Sequence, residues 1–185
     1  MSMKGNRRWG AAWVLAGVAL TAWCHHPTPS AALVEIVPGA VAEGDQKVMK
    51  ELVAAFDQAE VAVQQADLNA LMLFYAKGYN YHGLKRSDVR RVWSEVFEHY
   101  GAVTSKHVFT ELKVVKAGSV EKAYVGCTGG LYGVDKATGK PITIDGWVNE
   151  MHYLVKEQGR WRFHGNAGEV TPVAPPTSAP HHPLF

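Results

Sequence analysis

The chain has 185 residues, enough for one ordinary domain with tails, and 47% of them are hydrophobic, enough for a core. Its 19 Lys and Arg against 17 Asp and Glu give a net charge of +2, but without Lys4, Arg7 and Arg8 the balance is 16 to 17. That near-neutral remainder, with no basic stripe among its aromatics, excludes a nucleic-acid footprint, and two cysteines exclude a disulfide framework.

Residues 1–24 are predicted to be an export signal. Lys4, Arg7 and Arg8 precede an apolar run, Ala11 to Ala22, shorter than the ~20 residues of a membrane span. Leu20-Thr21-Ala22-Trp23-Cys24 resembles a lipobox with Cys24 as the acylated residue, although Trp23 fills a site that ordinarily takes a small residue. Cleavage after Ala22 or at Ser30-Ala31-Ala32 is the alternative, and an uncleaved N-terminal anchor a third. Residues 25–44, with Pro27, Pro29 and Pro38, read as a linker.

Val48, Leu52, Phe56, Ala59 and Val63 recur every three or four residues, which predicts an amphipathic helix over 43–65. Asp67 offers an N-cap for a second helix carrying Leu68, Leu71, Met72 and Tyr75, closed by Gly78. Tyr79 to His82 suits a short strand. A third helix starts at a Ser87 cap, places Val89, Val92, Trp93, Val96, Phe97 and Tyr100 on one stripe, and closes at Gly101 as C′.

After Gly101 the period changes to 2. Strands are predicted over 106–116, with Val108, Leu112 and Val114 on one face, then over 120–134, 142–156 and 160–167, joined by tight turns. Glycines 126, 129, 130 and 133 within one strand imply bulges or strong curvature. The Pro-rich segment 170–185, which includes His181-His182, reads as a disordered tail.

Residues at the joints of this layout resemble a family. Ala66-Asp67-Leu68-Asn69-Ala70-Leu71-Met72-Leu73-Phe74-Tyr75-Ala76 is similar to a run found in nuclear-transport-factor-2-like (SnoaL-like) domains. So are Tyr81-His82-Gly83 ahead of a capped helix and the hairpin Lys156-Glu157-Gln158-Gly159-Arg160-Trp161. The resemblance covers Glu43 to Glu169, and the domain it implies is 45–169. It implies an α+β cone-like roll: three N-terminal helices packed in a strongly curved antiparallel sheet, open at one end to a small molecule or a partner.

The odd positions of the long strand combine Trp147, Met151, Tyr153 and Val155 with one amide, Asn149, which suits a pocket wall or an ordinary core with one bonded Asn. With Tyr75, Tyr81 and His82, the residues Trp147, Asn149, Met151 and Tyr153 form the expected ligand-binding set. In isomerase-like members of the family a general-base carboxylate lies near the position of His82, so His82 is the catalytic candidate. A histidine bonding its own loop is the competing reading. Glu150 and His152 fall on the opposite, even face, expected to be solvated or dimer-facing, and one such pair supplies too few ligands for zinc. His164 and Asn166 share another polar face, and Cys127 reads as a buried, inert thiol. No metal site or cofactor is expected.

The sequence therefore points to an exported, periplasmic or envelope-associated protein that binds a small apolar or amphipathic molecule. Nucleic acid is not among its expected partners, whereas a homodimer and an N-terminal membrane anchor are. An enzyme of the isomerase, cyclase or dehydratase kind, and a module docking protein partners through its sheet, are the rivals.

Overall fold

A computed structural model describes residues 34–43 and 46–165. The expected export signal with Cys24, the first part of the linker, Asn166 and the tail lie outside these residues. The elements run β1 (Val34–Glu43), α1 (Gln46–Gln64), α2 (Leu68–Leu71) with a 3-10 turn (Met72–Phe74), β2 (Asn80–Tyr81), β3 (Leu84–Lys85), α3 (Arg86–His99), β4 (Tyr100–Ala117), β5 (Val120–Asp135), β6 (Pro141–Glu157) and β7 (Arg160–Phe163). The main sheet has the order β1-β4-β5-β6-β7, and β2 and β3 form a separate hairpin.

The α+β class follows the sequence pattern, with three helices against a curved sheet. The sheet is mixed rather than wholly antiparallel, because β1 pairs parallel with β4. Val34–Glu43 is thus a strand where a linker was expected. Pro38-Gly39 disguises it. The register shifts between Ile36 and Val41, and a proline in that irregularity of an edge strand forfeits no ladder hydrogen bond.

The helices supply the floor of the core. α1 buries Leu52, Phe56, Ala59, Ala62 and Val63 as its stripe requires, and one charged residue, Glu60, is buried among them. Asp67 caps α2, accepting a 2.9 Å hydrogen bond from the Ala70 N–H. The second helix is shorter than expected, since Tyr75 already turns extended. α3 buries Val89, Trp93 and Val96, and the Trp93 indole N–H donates to the Tyr75 hydroxyl at 2.8 Å. Its ends differ from expectation. Lys85 rather than Ser87 is the cap, its N–H donating to Asp88 Oδ2 at 2.8 Å. Gly101 is a strand residue, because the chain passes directly from His99 into β4.

Two bulges decide which side chains enter the core. In β4, Thr110 is an extra residue between the pairs Phe109↔Cys127 and Glu111↔Gly126. In β6, Val148 and Asn149 together oppose Thr128, between Gly129↔Trp147 and Cys127↔Glu150. A bulge adds one residue and so reverses the alternation beyond it. Val103, Ser105, His107 and Phe109 are buried before the first bulge and Leu112 after it. Trp147 is buried before the second, and His152 and Leu154 after it. Asn149 has φ of 50°, a left-handed conformation that Asn tolerates better than most residues. The bulges are stitched across the sheet. The Asn149 N–H donates to Thr128 Oγ1 at 2.8 Å, and Thr110 Oγ1 donates to Asn149 Oδ1 at 3.3 Å. Gly129 lies beside this row, where a Cβ would fall 2.0 Å from the Lys106 carbonyl oxygen and 2.7 Å from the Trp147 ring.

Candidate functional site, a histidine–cysteine cluster beneath the sheet

The inward residues of β4, β5 and β6 meet α1 at a polar cluster inside an otherwise aromatic core. Phe56 of α1 lies edge-on to Phe74, His107, Phe109 and Phe163, with centroid separations of 4.9 to 5.5 Å. Against this aromatic packing stand Glu60, Ser105, His107, Cys127 and His152, all buried.

The cluster is a connected chain of groups. The Ser105 N–H donates to both Glu60 carboxylate oxygens, at 3.1 and 3.0 Å, and the Ser105 hydroxyl donates to Glu60 Oε2. Thr104 Oγ1 at 2.8 Å and Gln64 Nε2 at 2.9 Å donate to Glu60 Oε1. Because the Ser105 proton points at the carboxylate, its oxygen is left to accept from His107 Nε2, 3.1 Å away. That fixes the His107 proton on Nε2 and leaves Nδ1 with a lone pair, 3.6 Å from the Cys127 sulfur. The Trp147 indole N–H donates to the same sulfur at 3.3 Å. His152 completes the cluster, and its Nε2 is buried with no hydrogen-bond partner.

Burial sets the protonation of these groups. It pushes both imidazoles down to about 3, His107 with a smaller contribution from the neighbouring His152, so both are neutral near pH 7. Burial likewise pushes the Cys127 thiol up to about 11. His107, Cys127 and His152 each offer a ligand atom, and those atoms all lie within 4.8 Å of one another.

A narrow cleft reaches this cluster from outside, lined by Tyr79, Tyr81, Met151, His152, Tyr153, Phe163 and Gly165. Its volume is about 10 Å³, room for about one water molecule. Around it the interior is packed with buried aromatic and aliphatic side chains. Larger grooves lie elsewhere, such as one of about 410 Å³ along α1 beside Phe74 and Trp161, but none holds a comparable convergence of buried polar groups among the described residues.

The structure separates the expected ligand-binding set. Tyr81, Met151 and Tyr153 line the cleft, Trp147 belongs to the buried cluster, and Tyr75 is buried against Trp93. Asn149 is exposed on the bulge rather than facing inward. His82 is exposed at the tip of the β2–β3 hairpin, where it and Gly83 take φ of 49° and 93°, the pattern of a type I′ turn. It therefore does not join the cone interior as a base would. Conversely, His152, expected outside with Glu150, is inside, and Glu150 is half-buried. The Asn149 bulge is the physical reason for both corrections.

Glu60, Ser105 and His107 were missed, although a faint signal existed. Glu60 falls four residues after Phe56 on the apolar stripe of α1, and Ser105 and His107 sit two apart in one strand. Cys127 is buried as expected, but its sulfur meets three polar partners, His107 Nδ1, the Trp147 N–H and the Thr128 carbonyl, rather than apolar groups alone.

No protein-family profile matches the chain, and no curated protein matches it in sequence. Solved structures do. A candidate scytalone dehydratase from Novosphingobium aromaticivorans DSM 12444 superposes with a TM-score of 0.50 at 9% identity, over 65% of this chain and 81% of its own. A ketosteroid isomerase-like protein from Erwinia carotovora atroseptica SCRI1043 gives 0.47 at 20% identity, over 65% and 94%. A candidate dehydratase of the NTF2-like family from Streptomyces avermitilis gives 0.44 at 11%, over 66% and 95%. The chain has the nuclear-transport-factor-2-like (SnoaL-like) cone fold. At these identities the likeness defines the architecture.

Proposed function

We propose that this chain is an exported, cell-envelope protein that binds a small, largely apolar molecule at the mouth of its cone. The observation that carries the reading is His152. A buried imidazole nitrogen without a partner costs about 1–3 kcal/mol, and this one lies at an aromatic-walled cleft through which a ligand donor or acceptor could satisfy it. Tyr81, whose hydroxyl burial pushes up to about 12, stays protonated and is a hydrogen-bond donor at the same mouth. The filled interior restricts the ligand to the cleft or requires Tyr81 and Met151 to move aside. Export is supported by Lys4, Arg7 and Arg8 ahead of the apolar run 11–22, and Cys24 is the candidate site of a lipid anchor.

The reversed parity of β6 favours one second reading, an acid–base enzyme of the isomerase or lyase kind. His152 and Glu150 then share an inward face, and His152 takes the role first given to His82. Calorimetric titration with planar cyclic ketones tests both readings. Binding by the native protein, weakened about 5- to 150-fold in His152→Leu, supports the cleft as the site. Unchanged affinity in that variant would remove His152 from it, and turnover of a bound ketone, lost in His152→Leu, would select the enzyme.

A further inference from the structure

Within the buried cluster, three ligand-type atoms each have a lone pair available or a removable proton, and each is held by the fold. His107 Nδ1 is deprotonated because Nε2–H is committed to Ser105, and Ser105 is in turn committed to Glu60. This is the outer-shell arrangement that orients a metal-ligating imidazole. Cys127 Sγ accepts an N–H from Trp147, which holds the sulfur in place. His152 Nε2 is buried and has no hydrogen-bond partner. The separation of His107 Nδ1 from Cys127 Sγ is 3.6 Å, and two ligands on a tetrahedral zinc with ordinary Zn–N and Zn–S bonds lie about 3.6 Å apart. The 4.8 Å limit on the whole set means that the most distant pair closes by at most about 1.2–1.4 Å.

Glu60 anchors the far end of this chain of groups: it is buried and accepts from Gln64, Thr104 and Ser105, which fixes the Ser105 hydroxyl that in turn orients His107.

We propose that His107, Cys127 and His152 form a binding site for a single borderline-soft divalent metal ion of the zinc class. Coordination is through His107 Nδ1, Cys127 Sγ and His152 Nε2, and the Cys127 thiol proton is released to solvent on binding. Two neutral imidazoles and one thiolate suit zinc or copper and disfavour magnesium and calcium, which take oxygen ligands. His152 also lines the cleft, so a fourth ligand, water or an organic group, reaches the ion from that side. The inference uses the same His152 nitrogen as the cyclic-ketone reading, so with the ion in place an organic ligand would meet the metal instead of that nitrogen; metal uptake measured with no organic ligand present tells the two apart.

The test is titration of the chelator-treated full chain with cobalt(II) as a spectroscopic stand-in, followed by displacement with zinc(II). The expected result is one equivalent bound, a thiolate-to-cobalt charge-transfer band with tetrahedral d–d absorption, release of about one proton, and loss of the spectrum on adding zinc. Cys127→Ser should abolish the charge-transfer band, and His152→Leu should weaken affinity at least tenfold. Circular dichroism confirms that each variant is folded. If Cys127→Ser does not fold, His152→Leu and His107→Gln carry the test. Cys24→Ser, and alanine at His25, His26, His181 and His182, should leave the band unchanged. A band that follows Cys24 or the terminal histidines, or the absence of any thiolate band in folded native protein, overturns the proposal. Metal uptake without ketone binding, or the reverse, separates its failure from that of the ligand reading.

Discussion

His107 and His152 are neutral because burial makes their charged forms unfavourable, and this has a direct consequence for stability. Their folded-state values, about 3, lie below the ordinary 6.5. The unfolded chain therefore binds more protons than the folded one between these limits. Their contribution is fully present above pH 6.5 and is lost as pH falls toward 3, by about 1.4 kcal/mol per histidine for each pH unit. Denaturant unfolding at pH 7 and pH 5 should show that loss, and His152→Phe should reduce the pH dependence. Equal slopes in the variant and native protein would mean that His152 is not buried neutral. Asn149 makes a second residue-scale prediction. Its φ of 50° disfavours branched side chains, so Asn149→Val should cost about 1–2 kcal/mol, whereas Asn149→Gly should be better tolerated.

At the scale of elements, α3 is the most legible part of the chain. Its stripe is long, apolar on one face only, and needs no partner to be read. Trp93, fully buried and bonded to Tyr75, should lose about 3–5 kcal/mol as Trp93→Ala. Arg91→Ala, on the exposed face with a surface ion pair to Glu95, should stay within about 0.5 kcal/mol. Comparable losses from the two, measured by thermal unfolding, would mean the helix is rotated. Four of the five strands of the main sheet were legible in order, but not in phase, and β4 starts at Tyr100 rather than Lys106. Strict alternation extrapolated from Trp147 carried Asn149, Met151 and Tyr153 inward, because nothing in local propensity announces an extra residue. What creates it is tertiary, the Thr110–Asn149–Thr128 bonds across three strands. The cluster was unreadable for the same reason. Glu60, His107, Cys127 and His152 come from four elements and become neighbours only after the bulges fix which side of the sheet each faces. β1 was lost differently, since Pro38-Gly39 imitates a linker, while its partner strand begins far along the chain.

At the scale of the molecule, the proposed export signal predicts that native protein begins at or beyond Trp23. Mass spectrometry of the envelope fraction checks this, and intact Met1 on cytoplasmic protein would contradict it. A mass increment on Cys24 would identify the lipid anchor, and its absence with a start at residue 23, 31 or 33 would identify ordinary cleavage. The outer sheet face carries exposed Tyr132 and Val148, where we propose a homodimer contact. Light scattering should give a dimer mass that falls to the monomer in Val148→Lys.

The stitched bulges also bear on how this sequence can change. Beyond Asn149, every side chain of β6 owes its side of the sheet to a single surplus residue, much as codons owe their meaning to a reading frame. Deleting Val148 would be a frameshift in three dimensions. Glu150, His152 and Leu154 would turn to solvent while Met151 and Tyr153 turned inward. The site would be erased without substituting any residue that forms it.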